Sequence, residues 1–412
     1  MTTLVIVNKP ITTLSDGHDL RVWHLCRALA EFETLISVCV SLGENGNAQA
    51  NEKSLRTDDI FLDEIIATNR SPELPSWRRH LRWSEVNLYR MGYPEFYREI
   101  VSTIEKACLQ YSIQRLIVFG SHLAEFSLPF REKKILFDVC DSVVLTHERA
   151  MRYHCKGWSA ENVRRWVALQ RWKQTERQLP HWFSHVTTIS NADSEAIIEL
   201  AGHRGKVSTV PNGVTLSAPA DTSCRRPARR GVAFWGNLGF EPNREALRYF
   251  LNEVYFPYLR KFNIECVIVG RGAEPWLANL AKTDRNIHVE GFVQDLRSAI
   301  GEYPVMVNPM VIGSGMKNKV LEAFSMGMGV VSTSLGMEAI SGAMKDEHYL
   351  EANTAEMFAL SIRQLLDNTE QCAKIGERAR SLVSQRYSWS AVSSKWVMIF
   401  KELGEDSCEN RI

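Results

Sequence analysis

The sequence predicts an α/β protein with two doubly wound lobes, each a parallel sheet covered by helices. Three observations lead to this class. Short apolar runs rich in Val and Ile alternate with helical patterns in the first half of the chain, and the same alternation returns in the second half. Such runs are typical of parallel strands buried on both faces. The length of 412 residues also exceeds one compact core, since a typical domain has about 150 residues.

In the first half, an apolar run is followed by a glycine-containing loop and by an amphipathic stretch over residues 20–31. Further along, Ser190 is a good N-cap for a helix over residues 193–200. Strand, loop and helix therefore repeat through this half. The predicted strands are residues 4–7, 36–41, 116–119, 135–139 and 186–189.

The second half begins after residues 211–230, which are rich in Pro, Ser, Thr and Arg and form the best linker candidate. Its first two strands each end in a glycine. Because doubly wound lobes place their ligand loops at the carboxyl ends of strands, we expect both sets of loops in one crevice. The predicted strands are residues 232–235, 266–269, 287–289, 305–307 and 329–333, and the predicted helices are residues 246–259 and 319–326.

Composition and charge exclude several classes. A hydrophobic fraction of 45% and a charged fraction of 24% are ordinary globular values. The net charge of +1 provides no drive toward nucleic acid, so no nucleic-acid partner is predicted. Nine cysteines without a C-x-x-C pair predict reduced thiols. No apolar run reaches the length of about 18–20 residues that spans a bilayer, and no signal-peptide pattern is present, so we expect a cytoplasmic protein.

The most specific segment is residues 308–324, in which a strand end passes through a loop with two glycines into a helix. The first N–H groups of a helix lack intrahelical partners and carry a positive dipole end, so a diphosphate fits there. Lys317 and Lys319 add positive charge. Glu322 lies one turn into the helix, where its carboxylate can accept hydrogen bonds from vicinal hydroxyls such as those of a ribose; an exposed helical acid is the alternative.

The chain resembles GT-B glycosyltransferases of glycosyltransferase family 4, and is similar to the bacterial sugar transferases of surface-polysaccharide assembly. The resemblance implies two Rossmann-like lobes that face a central cleft. It implies an acceptor lobe at residues 1–206, a donor lobe at 207–384 and a C-terminal helix at 385–412 that crosses back to the first lobe. The implied activity is retaining transfer of a sugar from a nucleotide sugar to a hydroxyl of a glycan or lipid-linked acceptor. The motifs that carry the resemblance are residues 189–193, 210–214, 234–243, 267–270, 289–295, 313–323, 329–338 and 387–389.

The resemblance also implies the donor-binding residues. The family's glycine-ended strands approach the donor phosphates and the nucleotide, the loop before the long helix holds the diphosphate, and the helical glutamate holds the ribose. Turn glycines and ordinary core packing are the alternatives for several of these positions. The implied residues are Gly236 and Asn237 near the phosphates, Gly270 beside the nucleotide, Phe292 and Val293 near the base, Gly313, Ser314, Gly315 and Met316 at the diphosphate, and Glu322 at the ribose.

Two departures from the family pattern concern the charged groups. Members usually carry two glutamates separated by seven residues, and here Ser314 occupies the first place. Many members also carry an Arg and a Lys after the first donor-lobe strand, and here Asn237 occupies the Arg place. We infer that Lys317 or Lys319 acts as the catalytic cation that neutralises the leaving diphosphate, with Arg244 as the alternative. The donor sugar is not predicted.

In the first lobe, the loop before residue 20 contains Asp16 and Gly17, and in the family a glycine there approaches both donor phosphate and acceptor. Arg21 follows one helical turn later and is a second acceptor-side candidate; a solvated turn with a surface arginine is the alternative. We assign Gly17 to the catalytic set and Asp16 and Arg21 to the acceptor side.

Two aspartates, Asp138 and Asp141, end a predicted strand of this lobe. A carboxylate there can orient or deprotonate an acceptor hydroxyl. We favour Asp141 as the catalytic group, with a helix N-cap as its alternative. His122 follows another strand end and is a weaker acceptor-side candidate, since a structural histidine is the more ordinary reading.

No Asp-x-Asp triplet occurs in the chain. A carboxylate pair of that kind typically holds a divalent metal on the donor diphosphate. We therefore expect no metal and no cofactor, with the nucleotide sugar acting as co-substrate. A nucleotide-sugar 2-epimerase and a non-catalytic nucleotide-sugar-binding subunit are the competing functions.

One basic and aromatic stretch lies at residues 76–83. Arginine and tryptophan at a surface suit anionic lipid headgroups, which predicts peripheral contact with the inner face of the membrane. An ordinary helix with extended arginine side chains is the alternative. The residues concerned are Trp77, Arg78, Arg79, Arg82 and Trp83.

Overall fold

The structure is a computed structural model, and it describes residues 1–9, 17–40, 60–68, 85–154, 159–203, 205–216 and 230–405. The chain forms two compact units. The first comprises Met1–Asn212 and Val392–Ile412, and the second comprises Gly213–Ala391. Within the described residues, each unit holds one sheet in which every strand pair is parallel.

The described part of the first unit contains a seven-stranded sheet with the order β3-β2-β1-β4-β5-β6-β7. The order reverses between β1 and β4, as in doubly wound folds. All five predicted strands are present. The sequence analysis did not predict the other two strands, β3 and β7. The strands are β1 Thr2–Val7, β2 Thr34–Val40, β3 Phe61–Thr68, β4 Arg115–Phe119, β5 Lys134–Cys140, β6 His185–Thr188 and β7 Val207–Thr209.

The reason for the missed strand β3 is its place at the sheet edge. Asp63 and Glu64 interrupt its apolar run, and Leu62 and Ile66 are exposed. A search for continuously apolar, fully buried strands therefore passes over it. Edge strands with charged side chains are common, because charge discourages pairing with another chain.

Helices cover this sheet, and the predicted helix start at Ser190 is confirmed. The Ser190 hydroxyl accepts a hydrogen bond from the Asp193 N–H at 3.1 Å. The helices are α1 Gly17–Ala30, α2 Leu88–Gly92, α3 Pro94–Gln110, α4 Ala124–Ser127, α5 Val143–His154, α6 Ala160–Trp182 and α7 Asn191–Ala201, with 3-10 turns at Glu85–Asn87, Ser121–Leu123 and Leu128–Phe130.

The second unit has six described strands in the order β10-β9-β8-β11-β12-β13. They are β8 Gly231–Trp235, β9 Glu265–Val269, β10 Ile287–Glu290, β11 Val305–Asn308, β12 Gly329–Ser332 and β13 Leu350–Glu351. The helices are α8 Glu241–Tyr249, a π-helical continuation Phe250–Leu259, a 3-10 turn Arg260–Phe262, α9 Pro275–Thr283, α10 Leu296–Ile300, α11 Asn318–Ser325, α12 Ser334–Met337, α13 Ala355–Asp367 and α14 Thr369–Arg386.

The last helix, α15 Trp389–Glu405, contributes to the core of the first unit. Its Trp396 is fully buried and stacks on Phe119 of β4, with ring centroids 5.9 Å apart. Phe400 lies in the same cluster as Val5 of β1. Burial of an aromatic side chain contributes about 1.5–3 kcal/mol, so this helix adds substantially to the unit's stability. None of the described helices combines the length and the apolar character that a membrane crossing requires.

Helix α11 is held in place by α14, and a glycine permits the close approach. A Cβ on Gly376 of α14 would lie 2.0 Å from the carbonyl oxygen of Gly327, in the turn that follows α11. This contact is far shorter than real Cβ contacts allow. The two backbones therefore meet only because residue 376 has no side chain.

Gly376→Ala should destabilise the protein although alanine is the better helix former. Helix propensity favours alanine by about 1 kcal/mol, but overpacking of a tight contact costs about 1–3 kcal/mol. We expect a lower melting temperature by circular dichroism. Gly291→Ala is the control, because nothing lies within 4 Å of a Cβ at that position. A stabilised Gly376→Ala protein would contradict the packing argument.

Candidate functional site

Two turns meet at the carboxyl edge of the second sheet, at the ends of β8 and β9. Gly236 has φ 148° and Gly270 has φ 152°, a region that side chains strongly disfavour. A Cβ on Gly270 would lie only 1.8 Å from the Gly236 carbonyl oxygen. The Gly270 N–H also donates to the Glu290 carbonyl at 3.1 Å, which ties in the end of β10. Both glycines are thus required by backbone geometry.

The loop before α11 follows the predicted course. Gly313 has φ 106° and Gly315 has φ 66°, and a Cβ on Gly313 would lie 3.2 Å from the Pro242 Cβ. The loop therefore lies against the beginning of α8. Ser314 and Met316 are buried.

The amino terminus of α11 has no side-chain cap. Lys317 occupies the N-cap position and makes no side-chain cap hydrogen bond. Its ammonium donates instead to the carbonyl oxygens of Ser314 and, at 3.1 Å, Gly315. The positive charge therefore lies on the loop itself, next to the N–H groups of the first helical turn. Such an end attracts anions.

Lys319 is buried, with 8% of its surface exposed. Its Nζ lies 4.3 Å from the ring centroid of Phe234 and donates to the Asn243 Oδ1 at 2.8 Å. The Asn243 amide in turn donates to the Asn237 carbonyl at 3.0 Å. Asn243 thus connects the turn after β8 to α11, a role that sequence analysis missed. Burial, together with the nearby charge of Lys317, lowers the pKa of Lys319 to about 7.

Glu322 faces the same edge. Its Oε2 accepts a hydrogen bond of 2.6 Å from the indole Nε1 of Trp235, the last residue of β8. Burial raises the pKa of Glu322, while the Trp235 hydrogen bond and the Lys319 charge oppose that rise. The alternative of an ordinary exposed acid is wrong, because Glu322 is half-buried and its carboxylate is held by the Trp235 indole. Trp235 was not singled out from the sequence.

The remaining donor-side residues lie in the turns around this edge. Asn237 is exposed in the turn after β8, and its Oδ1 accepts from the Gly239 N–H at 3.1 Å. Phe292 follows β10 and is 67% exposed, so core packing does not explain it. Val293 beside it is half-buried. The second unit therefore brings the predicted donor-side residues to one edge of its sheet.

In the first unit, Arg21 and Asp138 do not occupy open acceptor-side positions, which corrects the expectation from the sequence. They form an ion pair of 2.7 Å with 1% and 0% of their side chains exposed. Asp138 also accepts from the Thr187 hydroxyl at 2.7 Å. The Arg21 Nη1 donates to the carbonyl of Val210 at 2.9 Å. The pair joins α1, β5, β6 and the segment after β7, and neither group is available to a substrate.

Asp141 is half-buried between β5 and α5. The N-cap alternative for it is wrong, because the Ser142 hydroxyl accepts from the Leu145 N–H at 3.1 Å. The Glu176 carboxylate accepts from the Val143 N–H at 2.7 Å and completes the cap. Burial raises the pKa of Glu176 to about 7.

The structure describes fewer contacts for the other candidate residues of the first unit. Gly17 is the first residue of α1, and Asp16 lies outside the described residues. His122 is exposed and lies edge-on to the Trp172 ring at 5.2 Å. The described residues contain no group of three or more side chains that could hold a metal ion. The membrane-contact candidates Trp77, Arg78, Arg79, Arg82 and Trp83 also lie outside the described residues.

Sequence comparisons find a family match within the second unit. Residues 229–368 match the family model of glycosyl transferases group 1. An uncharacterized 44.6 kDa protein in the cps region of Klebsiella pneumoniae is 31% identical over 180 residues, which cover 42% of this chain and 45% of that protein. The chain thus matches less than half the length of this relative.

Solved structures match nearly the whole chain. The sucrose-phosphate synthase of Thermosynechococcus elongatus has a TM-score of 0.71 at 14% identity, covering 98% of this chain and 99% of that one. HepE of Anabaena, in complex with UDP and glucose, has a TM-score of 0.65 at 15% identity, covering 97% and 99%. With the two parallel sheets, these likenesses confirm the predicted GT-B fold of two Rossmann-like units.

Arg21→Met should destabilise the first unit strongly. Removal of one partner of a buried ion pair costs about 3–5 kcal/mol, because the other charge stays buried without compensation. Hydrogen exchange of peptides from β1 and β5 should become markedly faster. Lys374→Ala is the control, since its pair with Glu370 is exposed on α14 and such pairs contribute little. Unchanged exchange in Arg21→Met would contradict the structural role.

Lys319→Met should stabilise the ligand-free protein, most strongly at low pH. The native pKa of about 7 lies below the unfolded value of about 10.4, so between these values the unfolded wild type binds more protons. Wild-type stability therefore rises with pH over this range, and the advantage of the variant should shrink from pH 6 to pH 9 in thermal melts. Lys282→Met in α9, at an exposed position, is the control. A pH-independent difference would contradict the buried-cation account.

Proposed function

We propose that the protein is a glycosyltransferase of family 4 that transfers a sugar from a nucleotide sugar to an acceptor hydroxyl, with retention and without a metal. The amino terminus of α11 carries the proposal. It combines an uncapped helix end, two lysines and a half-buried carboxylate that Trp235 holds within the segment that matches the group 1 family model.

The donor would bind to the second unit. The first N–H groups of α11, with Lys317 and Lys319, suit a diphosphate, and Glu322 suits the ribose hydroxyls. Gly236, Asn237 and the loop of Gly313, Ser314, Gly315 and Met316 would surround the phosphates, with Gly270, Phe292 and Val293 near the nucleoside. HepE in complex with UDP and glucose favours a uridine nucleotide as the first donor to test.

The chemistry requires that the bond between the anomeric carbon and the diphosphate oxygen breaks while a bond to the acceptor oxygen forms. Negative charge then develops on the departing diphosphate. Lysine ammonium groups and helix N–H groups that are already in place stabilise this charge, and one such group is worth about 2.7–4 kcal/mol of barrier. These groups make a metal unnecessary in the proposed mechanism.

The first unit would serve the acceptor. Asp141 is the proposed group that orients the acceptor hydroxyl or takes its proton, and Gly17 is the proposed close-approach position. The acceptor would be a glycan or lipid-linked glycan in surface-polysaccharide assembly, for which the relative in the cps region is the support. Peripheral membrane contact through residues 76–83 in the cytoplasm also belongs to this proposal.

Glu322→Gln should weaken nucleotide-sugar binding. A hydrogen bond to a charged group contributes about 1.5–3 kcal/mol, so we expect an affinity loss of about tenfold or more. Calorimetric titration with UDP-glucose, UDP-N-acetylglucosamine and GDP-mannose measures it. Glu274→Gln in the same unit is the control, since that carboxylate is already held by Arg248 at 2.8 Å and by the Trp276 indole at 2.8 Å.

The same donors should release nucleotide diphosphate in EDTA only when an acceptor is added, and NMR should show a retained anomeric configuration. Loss of turnover in EDTA or an inverted product would contradict those parts of the proposal. Conversion of the donor without any acceptor would indicate an epimerase. Binding of the donor without release of nucleotide diphosphate, whichever acceptor is added, would indicate a non-catalytic subunit.

A further inference from the structure

Trp235 and Glu322 form a partly buried contact within the second unit that the proposed chemistry has not used. Trp235 ends β8 and is 4% exposed, and its indole Nε1 donates to the Glu322 Oε2 at 2.6 Å. An indole has one donor and no acceptor, so this bond satisfies the ring's only polar group. Among the described residues, it is the one hydrogen bond that the Glu322 side chain makes.

The contact restricts a side chain that would otherwise be adaptable. A glutamate has three rotatable bonds, and ordering such a side chain costs conformational entropy. Here one carboxylate oxygen is already held by a rigid ring at the end of a central strand. The Oε1 oxygen is left as the acceptor for an incoming hydroxyl. Hydrogen bonds from two adjacent ribose hydroxyls both depend on the rotation of the carboxylate. They therefore require a carboxylate whose orientation is fixed.

The charges around Glu322 also support a role for Trp235. Lys319 is three residues before Glu322 on α11, and together with Trp235 it opposes the effect of burial on the Glu322 pKa. An ionised carboxylate accepts hydrogen bonds from hydroxyls more strongly than a protonated one. Trp235 therefore supports both the orientation and the ionisation of Glu322.

We propose that Trp235 is a positioning residue for the nucleotide ribose: it holds the Glu322 carboxylate in the orientation that accepts the vicinal hydroxyls. This inference rests on the proposed function, because it assigns a role to Trp235 only if a nucleotide binds at α11. In this proposal, Trp235 and Glu322 together discriminate ribose from deoxyribose. Trp235 itself touches no substrate.

Trp235→Phe is the informative substitution, because it keeps an aromatic ring in the core and removes the N–H donor. The chain offers a matched control in Trp276 of α9, whose Nε1 donates to the Glu274 Oε2 at 2.8 Å. Trp276→Phe removes the same kind of bond from the same unit. Circular dichroism melts of both variants establish that each is folded.

Affinities for UDP and 2′-deoxy-UDP should be measured by calorimetry from pH 5.5 to 8.5 in the wild type and both variants, with GDP and 2′-deoxy-GDP as a second pair. The wild type should prefer ribose by about tenfold or more, as expected for a hydrogen bond to a charged group. In Trp235→Phe the preference should fall below about threefold. Trp276→Phe should match the wild type.

The pH dependence separates positioning from general packing. Protonation of Glu322 at falling pH should weaken nucleotide binding, while protonation of Lys319 near pH 7 should strengthen it in the wild type and in Trp235→Phe alike. Removal of the Trp235 donor raises the pKa of Glu322 further, so the loss of binding should begin at a higher pH in Trp235→Phe. A variant with altered packing alone would show weaker binding at every pH without this displacement.

The outcomes distinguish two failures. If the wild type binds none of these nucleotides and none of the nucleotide sugars above, the proposed function fails. If the wild type prefers ribose, Glu322→Gln loses the preference, and Trp235→Phe retains both the preference and the wild-type pH dependence, the positioning role is wrong while the proposed function stands.

If Trp235→Phe does not fold, NMR of the wild type decides the question. With ¹⁵N-labelled indoles, one Nε1–H resonance should move as Glu322 titrates, and it should shift on UDP binding and change in Glu322→Gln. Absence of any indole resonance that responds to Glu322→Gln would overturn the proposal.

Discussion

A single buried ammonium group, that of Lys319, organises the carboxyl edge of the second sheet. Lys319 belongs to α11. Its ammonium contacts the face of Phe234 in β8 and the side chain of Asn243 at the start of α8. Burying a charge is costly unless it is compensated, and these contacts provide the compensation together with the charge of Glu322 on the same helix. An anion at the same place would reduce that cost, which links the stability of the free protein to ligand binding.

The first unit uses a buried charge differently. Arg21 and Asp138 satisfy each other, and Thr187 and the Val210 carbonyl take the remaining hydrogen bonds. This network is complete without a ligand, whereas the Lys319 ammonium has one neutral oxygen, the face of a ring and the charge of Glu322 on the same helix. Buried charges with complete partners serve the fold, and those with incomplete partners indicate a binding site. The contrast explains why we place the donor in the second unit and treat Arg21 as structural.

Glycine and tryptophan act together at the proposed donor site. Gly236 and Gly270 allow two strand ends to approach so closely that no side chain fits between them. Trp235, one residue before Gly236, then donates to Glu322 on α11. The close approach of the two backbones and the orientation of the Glu322 side chain therefore depend on two consecutive residues, Trp235 and Gly236. The family match over residues 229–368 covers the same strand, loop and helix.

By itself the sequence determined the two-lobed α/β class, most strand positions, the glycine-ended strands and the loop before α11, because these depend on neighbouring residues. The tertiary structure decided which polar groups meet. Arg21 and Asp138 are 117 positions apart, Trp235 and Glu322 are 87 apart, and Asn243 and Lys319 are 76 apart. No local pattern specifies such contacts, since they exist only after helices have packed on sheets. Whether a charged residue joins a buried network or lies at the loops of a sheet edge was therefore decided by packing.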